Sequence, residues 1–534
     1  MLSLEEFIVN RILLLPLLAW MLPGLHAAPE TCESLGKIAL ANVSIRTAEP
    51  RPAGDFAPPE GRPIRNLPAF CRVAGTIRPS PDSDIRFEVW MPTAGWNSKF
   101  QGIGNGGFAG SISYAGLADA VAHGYAAAST DTGHEAGGTD ARWALHHPEK
   151  IVDFGYRAVH ATAVVAKAVI TRFYAAAPRR SYFSSCSNGG RQALMEAQRY
   201  PADYDGIIAG APANDWTHLL AGAAWDMKAT MAQPASFIPA SKLPAIEAAA
   251  LNACDAADGV KDGVIEDPSR CRFDPAALLC KGTESDACLT APQLAALRQI
   301  YAGPRDAKGR QVFPGDSPGG EAEQGGWAAW ITGPAPEKAL MFAFGTQFYM
   351  NMVFENPEWQ FRTFDVDRDS KTADDRTAHI LNATDPDLSA FQKRGGKLIL
   401  YHGWSDAAIP AASTTDYYER VVARMGAKAM PGFVRLYMAP GMQHCGGGSG
   451  PDMFGQGGTP SVDRFHDVAA ALEAWVEQGQ APAEIIATKY KTGAGGATGV
   501  VRTRPLCPYP QVARWKGSGS TDDAANFACV APVK

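Results

Sequence analysis

The feature that most constrains this chain is an alternation of short apolar runs with helix-periodic stretches, which stops near residue 214 and resumes near residue 397. Residues 85–91, 100–103, 125–129, 182–185, 206–209, 397–401 and 434–438 are apolar runs of strand length, closed by glycine or polar residues. Between them, residues 151–175 and 190–200 carry apolar side chains at helical spacing. Strands alternating with helices build a largely parallel sheet covered by helices, so the expected class is α/β. The span 214–387 lacks the alternation, is rich in alanine and holds four of the cysteines. The simplest reading is one sheet domain, residues 29–213 and 388–534, interrupted by one large insertion. Length alone allows about three or four domains at roughly 150 residues each. The 46% hydrophobic content excludes wholesale disorder.

A leader is expected ahead of this domain. Arg11 precedes the apolar run 12–22, and the small residues Ala27 and Ala28 follow. That run is too short to span roughly 30 Å of hydrocarbon as a helix, so residues 1–28 read as a signal peptide rather than an anchor. Glu5 and Glu6 are out of place in a cationic leader and suggest a start further along. Export, periplasmic or extracellular, changes the meaning of the ten cysteines, because an oxidising compartment favours disulfides. None has the C-x-x-C spacing of a zinc site. Proximity favours Cys254–Cys271, Cys280–Cys288 and Cys507–Cys529, while sequence alone leaves many pairings open. A net charge of −6 gives no reason to expect nucleic acid or an anionic membrane as partner.

The residues that carry chemistry stand where the strands end. After the run 182–185 the chain reads Ser185-Cys186-Ser187-Asn188-Gly189. This is the strand–turn–helix context of a nucleophile elbow, with small residues on both sides of Ser187 and Ser185 in place of the usual glycine. Asp406 follows the run 397–401, and His444 follows the run 434–438. The order Ser187, Asp406, His444 is that of α/β-hydrolases. Serine is a weak nucleophile until a histidine takes its proton, and a carboxylate must orient that histidine. His402 is a competing base but precedes the acid. A glycine-rich stretch, residues 102–108, follows an early strand, and the amides of Gly107 and Asn188 are the candidates for an oxyanion hole.

Cys186 immediately precedes the nucleophile and Cys445 immediately follows the histidine. This paired Cys-Ser and His-Cys arrangement resembles the tannase and feruloyl esterase family, which includes mono(hydroxyethyl) terephthalate hydrolases. The resemblance spans residues 32–529. It implies an α/β-hydrolase fold with a lid domain over residues 214–387, and disulfides Cys186–Cys445 and Cys32–Cys71 beside the three local pairs. It also implies a structural Ca²⁺ site in the lid, held by Asp255, Asp258 and Asp262 with the carbonyls of Val260 and Val264. Carboxylates broken by glycine suit a hard cation, although Ala257 and Gly259 rule out an EF-hand. The implied activity is hydrolysis of an aromatic ester, feruloyl or galloyl in type, with a small-molecule substrate and no nucleotide cofactor. Phe342, Phe344, Phe348 and Tyr349 are candidates for an aromatic slot. The similar terephthalate-ester hydrolases hold the free carboxylate with a lid arginine, and residues 341–355 contain none; Arg362 lies nearby. A serine carboxypeptidase-like peptidase and a non-catalytic, calcium-stabilised binding protein on the same fold are the alternatives.

Overall fold

The structure is a computed structural model that describes residues 28–493 and 496–532. The expected signal peptide therefore lies outside the described residues, except for its last position. No helix among the described residues is long and apolar enough to cross a membrane.

Nine strands form one twisted sheet: β1 (Val43–Arg51), β2 (Phe70–Ile77), β3 (Ile85–Pro92), β4 (Lys99–Ile103), β5 (Ala126–Thr130), β6 (Arg180–Cys186), β7 (Gly206–Gly210), β8 (Lys397–Gly403) and β9 (Val434–Ala439). Their order across the sheet is β1-β2-β3-β5-β4-β6-β7-β8-β9. The first four in that order pair antiparallel, and from β5 to β9 every pairing is parallel. This is the α/β-hydrolase architecture, and its parallel half carries the strand ends that matter for chemistry.

The parallel strands are apolar on both faces because helices cover both. Adjacent residues split between two cores. Ile207 and Leu398 face one core, shared with Val169 and Leu194, while Ile208 and Ile399 face the other, shared with Leu117 and Trp475. Those partners sit on helices α1 (Tyr114–Ala122), α2 (Ala158–Tyr174) and α3 (Asn188–Arg199), together with a helix after β9. Leu194 is fully buried, so its truncation to alanine would cost about 2–5 kcal/mol.

Between β7 and β8, which are neighbours in the sheet, the chain makes a long excursion. It contains α4 (Trp216–Thr230), α5 (Leu243–Cys254) and α6 (Leu340–Phe348), with no strand of the main sheet. α4 and α6 pack in an apolar core that includes Leu220, Ala224 and Phe348 and continues into Phe108, Phe154 and Ile409 of the sheet domain. The chain then returns through α7 (Ala412–Met425), β9 and α8 (Val468–Gln478). Two antiparallel hairpins close it: β10 (Ile485–Gly493) with β11 (Gly496–Leu506), and β12 (Val512–Trp515) with β13 (Phe527–Val530). Five disulfides join Cys32–Cys71, Cys186–Cys445, Cys254–Cys271, Cys280–Cys288 and Cys507–Cys529. No free cysteine remains among the described residues.

Candidate active site

Ser187 lies in the turn between β6 and α3 with φ +67°, a conformation costly for any residue but glycine. The surroundings hold it there: its amide donates to the Gly210 carbonyl, and its own carbonyl accepts from Ala213. The turn also requires bare backbone beside it. A Cβ at Gly190 would sit 2.3 Å from the Gly210 carbonyl oxygen, and one at Gly189 would strike the Ser185 side chain.

The three strand-end residues meet. His444 Nε2 lies 2.9 Å from Ser187 Oγ, and its Nδ1 lies 2.8 Å from Asp406 Oδ2. The Cys186–Cys445 bridge, with Cα atoms 6.0 Å apart, ties the serine turn directly to the histidine loop. Closing 259 residues of chain restricts the unfolded state by roughly 5–6 kcal/mol on the disputed entropic account. Asp406 is 2% exposed. Burial alone would raise its carboxyl, but the charge of His444 and hydrogen bonds from His402 and His444 outweigh that and hold it well below the usual carboxylate range. The trio can therefore pass the serine proton to His444 while Asp406 stays ionised.

Gly107 and Asn188 border the same cleft as Ser187 and His444. Gly107 has φ +55°, and a Cβ there would stand 2.3 Å from the Gly138 carbonyl oxygen, so only glycine fits. Its loop is clamped to α3 and to the end of β5: the Asn105 amide donates to Gln192 Oε1 at 3.0 Å, and Asn105 Nδ2 donates to the Thr130 carbonyl at 2.8 Å. Asn188 opens α3, so the positive end of that helix points at the serine turn. These amides suit an oxyanion.

The cleft has apolar walls, with Trp216 and Leu219 of α4, Met341 and Phe344 of α6, Trp330, and Ile409. The excursion thus roofs the site. The Trp330 ring meets His444 edge-on with centroids 5.1 Å apart and stacks on Phe344. Of the aromatic quartet expected to form a slot, only Phe344 lines the cleft. Phe348 and Tyr349 are fully buried in the core between the excursion and the sheet domain, and Phe342 packs on Phe361. Met341 and Phe344, three residues apart, share the face of α6 that meets the cleft. Arg362 is outside it, 3.6 Å from Glu337 and stacked on Phe361.

The roof also buttresses the base. Gln443 Nε2 donates to the Gly320 carbonyl at 2.8 Å and to Glu323, which also accepts from the Ser449 amide. Sequence reasoning missed this support, the Trp330 contact and the role of Arg191. That arginine is fully buried and donates to Asn188 Oδ1 and to the carbonyls of Phe154, Gly155 and Leu381. Among the described residues it meets carbonyls rather than a carboxylate, and burial lowers its guanidinium to about 9. Its position one turn after Ser187 was the only sequence signal.

The acidic loop lies apart from the cleft and is bracketed by Cys254–Cys271. Both Asp255 oxygens accept from backbone, at the amides of Asp262 and Gly263. Asp262 pairs with Arg502 and Arg504 of β11. Burial raises the Asp258 carboxyl, and the neighbouring Asp262 and Asp255 add to this. The donor chemistry suits a hard cation, which would relieve that crowding. Among the described residues, however, the three carboxylates do not each bring an oxygen within 4.8 Å of the others, and Asp262 Oδ2 is met by Arg504.

Comparison with known proteins agrees with this geometry. Residues 71–530 match the family model for tannase and feruloyl esterase. An uncharacterized esterase of Xanthomonas campestris pv. campestris is 46% identical, with 94% of this chain and 92% of that protein covered. A mono(2-hydroxyethyl) terephthalate hydrolase of Piscinibacter sakaiensis is 36% identical, with 87% and 85% covered. The crystal structure of feruloyl esterase B from Aspergillus oryzae superposes with a TM-score of 0.86 at 32% identity, covering 93% of this chain and 99% of that one.

Proposed function

The chain belongs to the tannase and feruloyl esterase family of carboxylic ester hydrolases, and on that premise we propose that it is a secreted serine esterase for neutral aromatic acyl groups. The observation that carries this reading is the hydrogen-bonded file Ser187–His444–Asp406 opening into an apolar, aromatic cleft. Ser187 Oγ attacks the ester carbonyl carbon, and its proton passes to His444 Nε2. The carbonyl oxygen becomes an oxyanion facing the amides of Gly107 and Asn188. Collapse breaks the bond to the alcohol, which leaves with the proton from His444. Water then repeats the sequence on the acyl-serine, releasing the acid. Asp406 orients the imidazole throughout and takes no proton.

The aromatic acyl group is supported by the walls, where Trp216, Phe344 and Trp330 offer ring faces and edges, and the feruloyl esterase and tannase relatives favour a hydroxycinnamate or gallate type. A terephthalate half-ester is the second reading, favoured by the Piscinibacter relative. It would bring a free carboxylate into a cleft bordered, among the described residues, by no lysine or arginine, which argues against it. Rates on methyl ferulate, methyl gallate, a terephthalate half-ester and a simple aliphatic ester test the assignment. Neutral aromatic esters are expected to lead by at least about tenfold, the worth of about 1.4 kcal/mol. A lead for the half-ester would reverse it. A non-catalytic binding protein has no use for the Ser187–His444 contact.

Within the acidic loop, Ca²⁺ would be held by Asp255, Asp258 and Asp262 with the carbonyls of Val260 and Val264. Its role there would be structural, since none of these residues borders the cleft.

A further inference from the structure

We propose that His402 is a positioning residue for Asp406, donating from Nε2 so that the carboxylate orienting His444 is held from both sides; the role rests on the serine-esterase reading above. His402 stands near the end of β8 and is completely buried. Its Nε2 lies 3.1 Å from Asp406 Oδ2 and 3.0 Å from the Ile409 carbonyl oxygen. An ionised carboxylate and a carbonyl can only accept, so Nε2 carries the proton. Nδ1 lies 2.7 Å from Thr414 Oγ1 on α7, whose hydroxyl donates to it. Three partners on two sides therefore fix the ring's tautomer and plane.

The carboxylate is thereby saturated. Oδ2 takes His402 and His444, while Oδ1 takes the amides of Ala408 and Ile409 at 2.8 and 2.9 Å. A carboxylate offers about four lone-pair sites, and all four are engaged. Removing His402 would leave Oδ2 answered by His444 alone, the ring that must gain and lose a proton in each half-reaction. His402 is not itself a base in the reaction, because its Nε2–H is spent on Asp406 and Ile409 and its ring is shut away from the cleft.

Histidine tautomers read by ¹⁵N NMR on the full chain test the geometry directly, with His402 assigned by the resonances lost in His402→Gln. A proton on Nε2 is expected, and a proton on Nδ1 would overturn the proposal. Kinetics test the role. His402→Leu should lower kcat about tenfold to a hundredfold while KM stays within about threefold. His402→Gln, whose amide nitrogen replaces Nε2, should recover most of the loss. A folded His402→Leu enzyme with unchanged kcat, or a Gln variant as impaired as the Leu variant, would contradict it. If the Leu variant does not fold, the tautomer decides. The NMR readout needs no turnover, so failure of the esterase reading and failure of this proposal are separable.

Discussion

Asp406, which is buried, and Asp262, which is half-buried, are both aspartates on loops, yet they are held in opposite ways. Asp406 is met by four donors, three of which come from residues 402–409 and the fourth from the next strand-end loop. Asp262 is met by Arg502 and Arg504, some 240 residues further along the chain on a terminal hairpin. The catalytic floor is thus fixed by short segments that end parallel strands, and each segment fixes its neighbours. The excursion above it is held by long-range contacts that no local pattern announces. Substitutions in the floor should therefore strike kcat, and substitutions in the excursion should strike KM or stability.

The largest expected effect is in the floor. Ser187→Ala should lower kcat by about 10⁴- to 10⁶-fold with little change in binding of a product acid, and a loss of less than a hundredfold in a folded variant would break the distinction. Next, replacing both Cys186 and Cys445 by alanine should lower kcat by about a hundredfold, the order expected for a drift of about 1 Å in the base. KM should change less than kcat. Unchanged turnover in the folded double variant would show that the two loops need no tether. Phe344→Ala, in the roof, should do the reverse, raising KM about tenfold for an aromatic ester while kcat falls by less than about threefold, since it removes apolar contact worth roughly 1.5 kcal/mol or more. Smallest for catalysis is chelation. It should lower Tm by a few degrees and leave kcat at 25 °C unchanged, with the Tm effect absent in Asp258→Asn. A Tm insensitive to chelator in the parent enzyme would leave the loop to its arginines alone.

The same contrast explains what could be read in the sequence. The seven strands expected from apolar runs form within two residues of their expected ends, because strands in the middle of a sheet covered on both faces are apolar throughout. Ser187, Asp406 and His444 were legible because each follows such a strand. β1 and β2 were not: β1 carries Arg46, Glu49 and Pro50 on a half-exposed edge, so its pattern is not that of a core strand. The β10–β11 hairpin, rich in lysine, arginine and threonine, escaped for the same reason, and β12 and β13 are only four residues each. The aromatic slot was overread, because residues 342–349 carry aromatics all around a helix, and only the roof's placement decides which of them sees the cleft. His402 was read only as a rival base; nothing short of the fold reveals that it faces the far side of the same carboxylate. The glycines at 107, 189 and 190 were visible as letters, but the carbonyls and side chains they make room for come from elsewhere in the chain.

The most direct test of the whole account is stoichiometric labelling with a fluorophosphonate, read by mass spectrometry. One adduct per chain is expected, on Ser187, formed in step with loss of ester hydrolysis and abolished by His444→Ala. Full hydrolytic activity without labelling, or labelling at another residue with loss of activity, would contradict it.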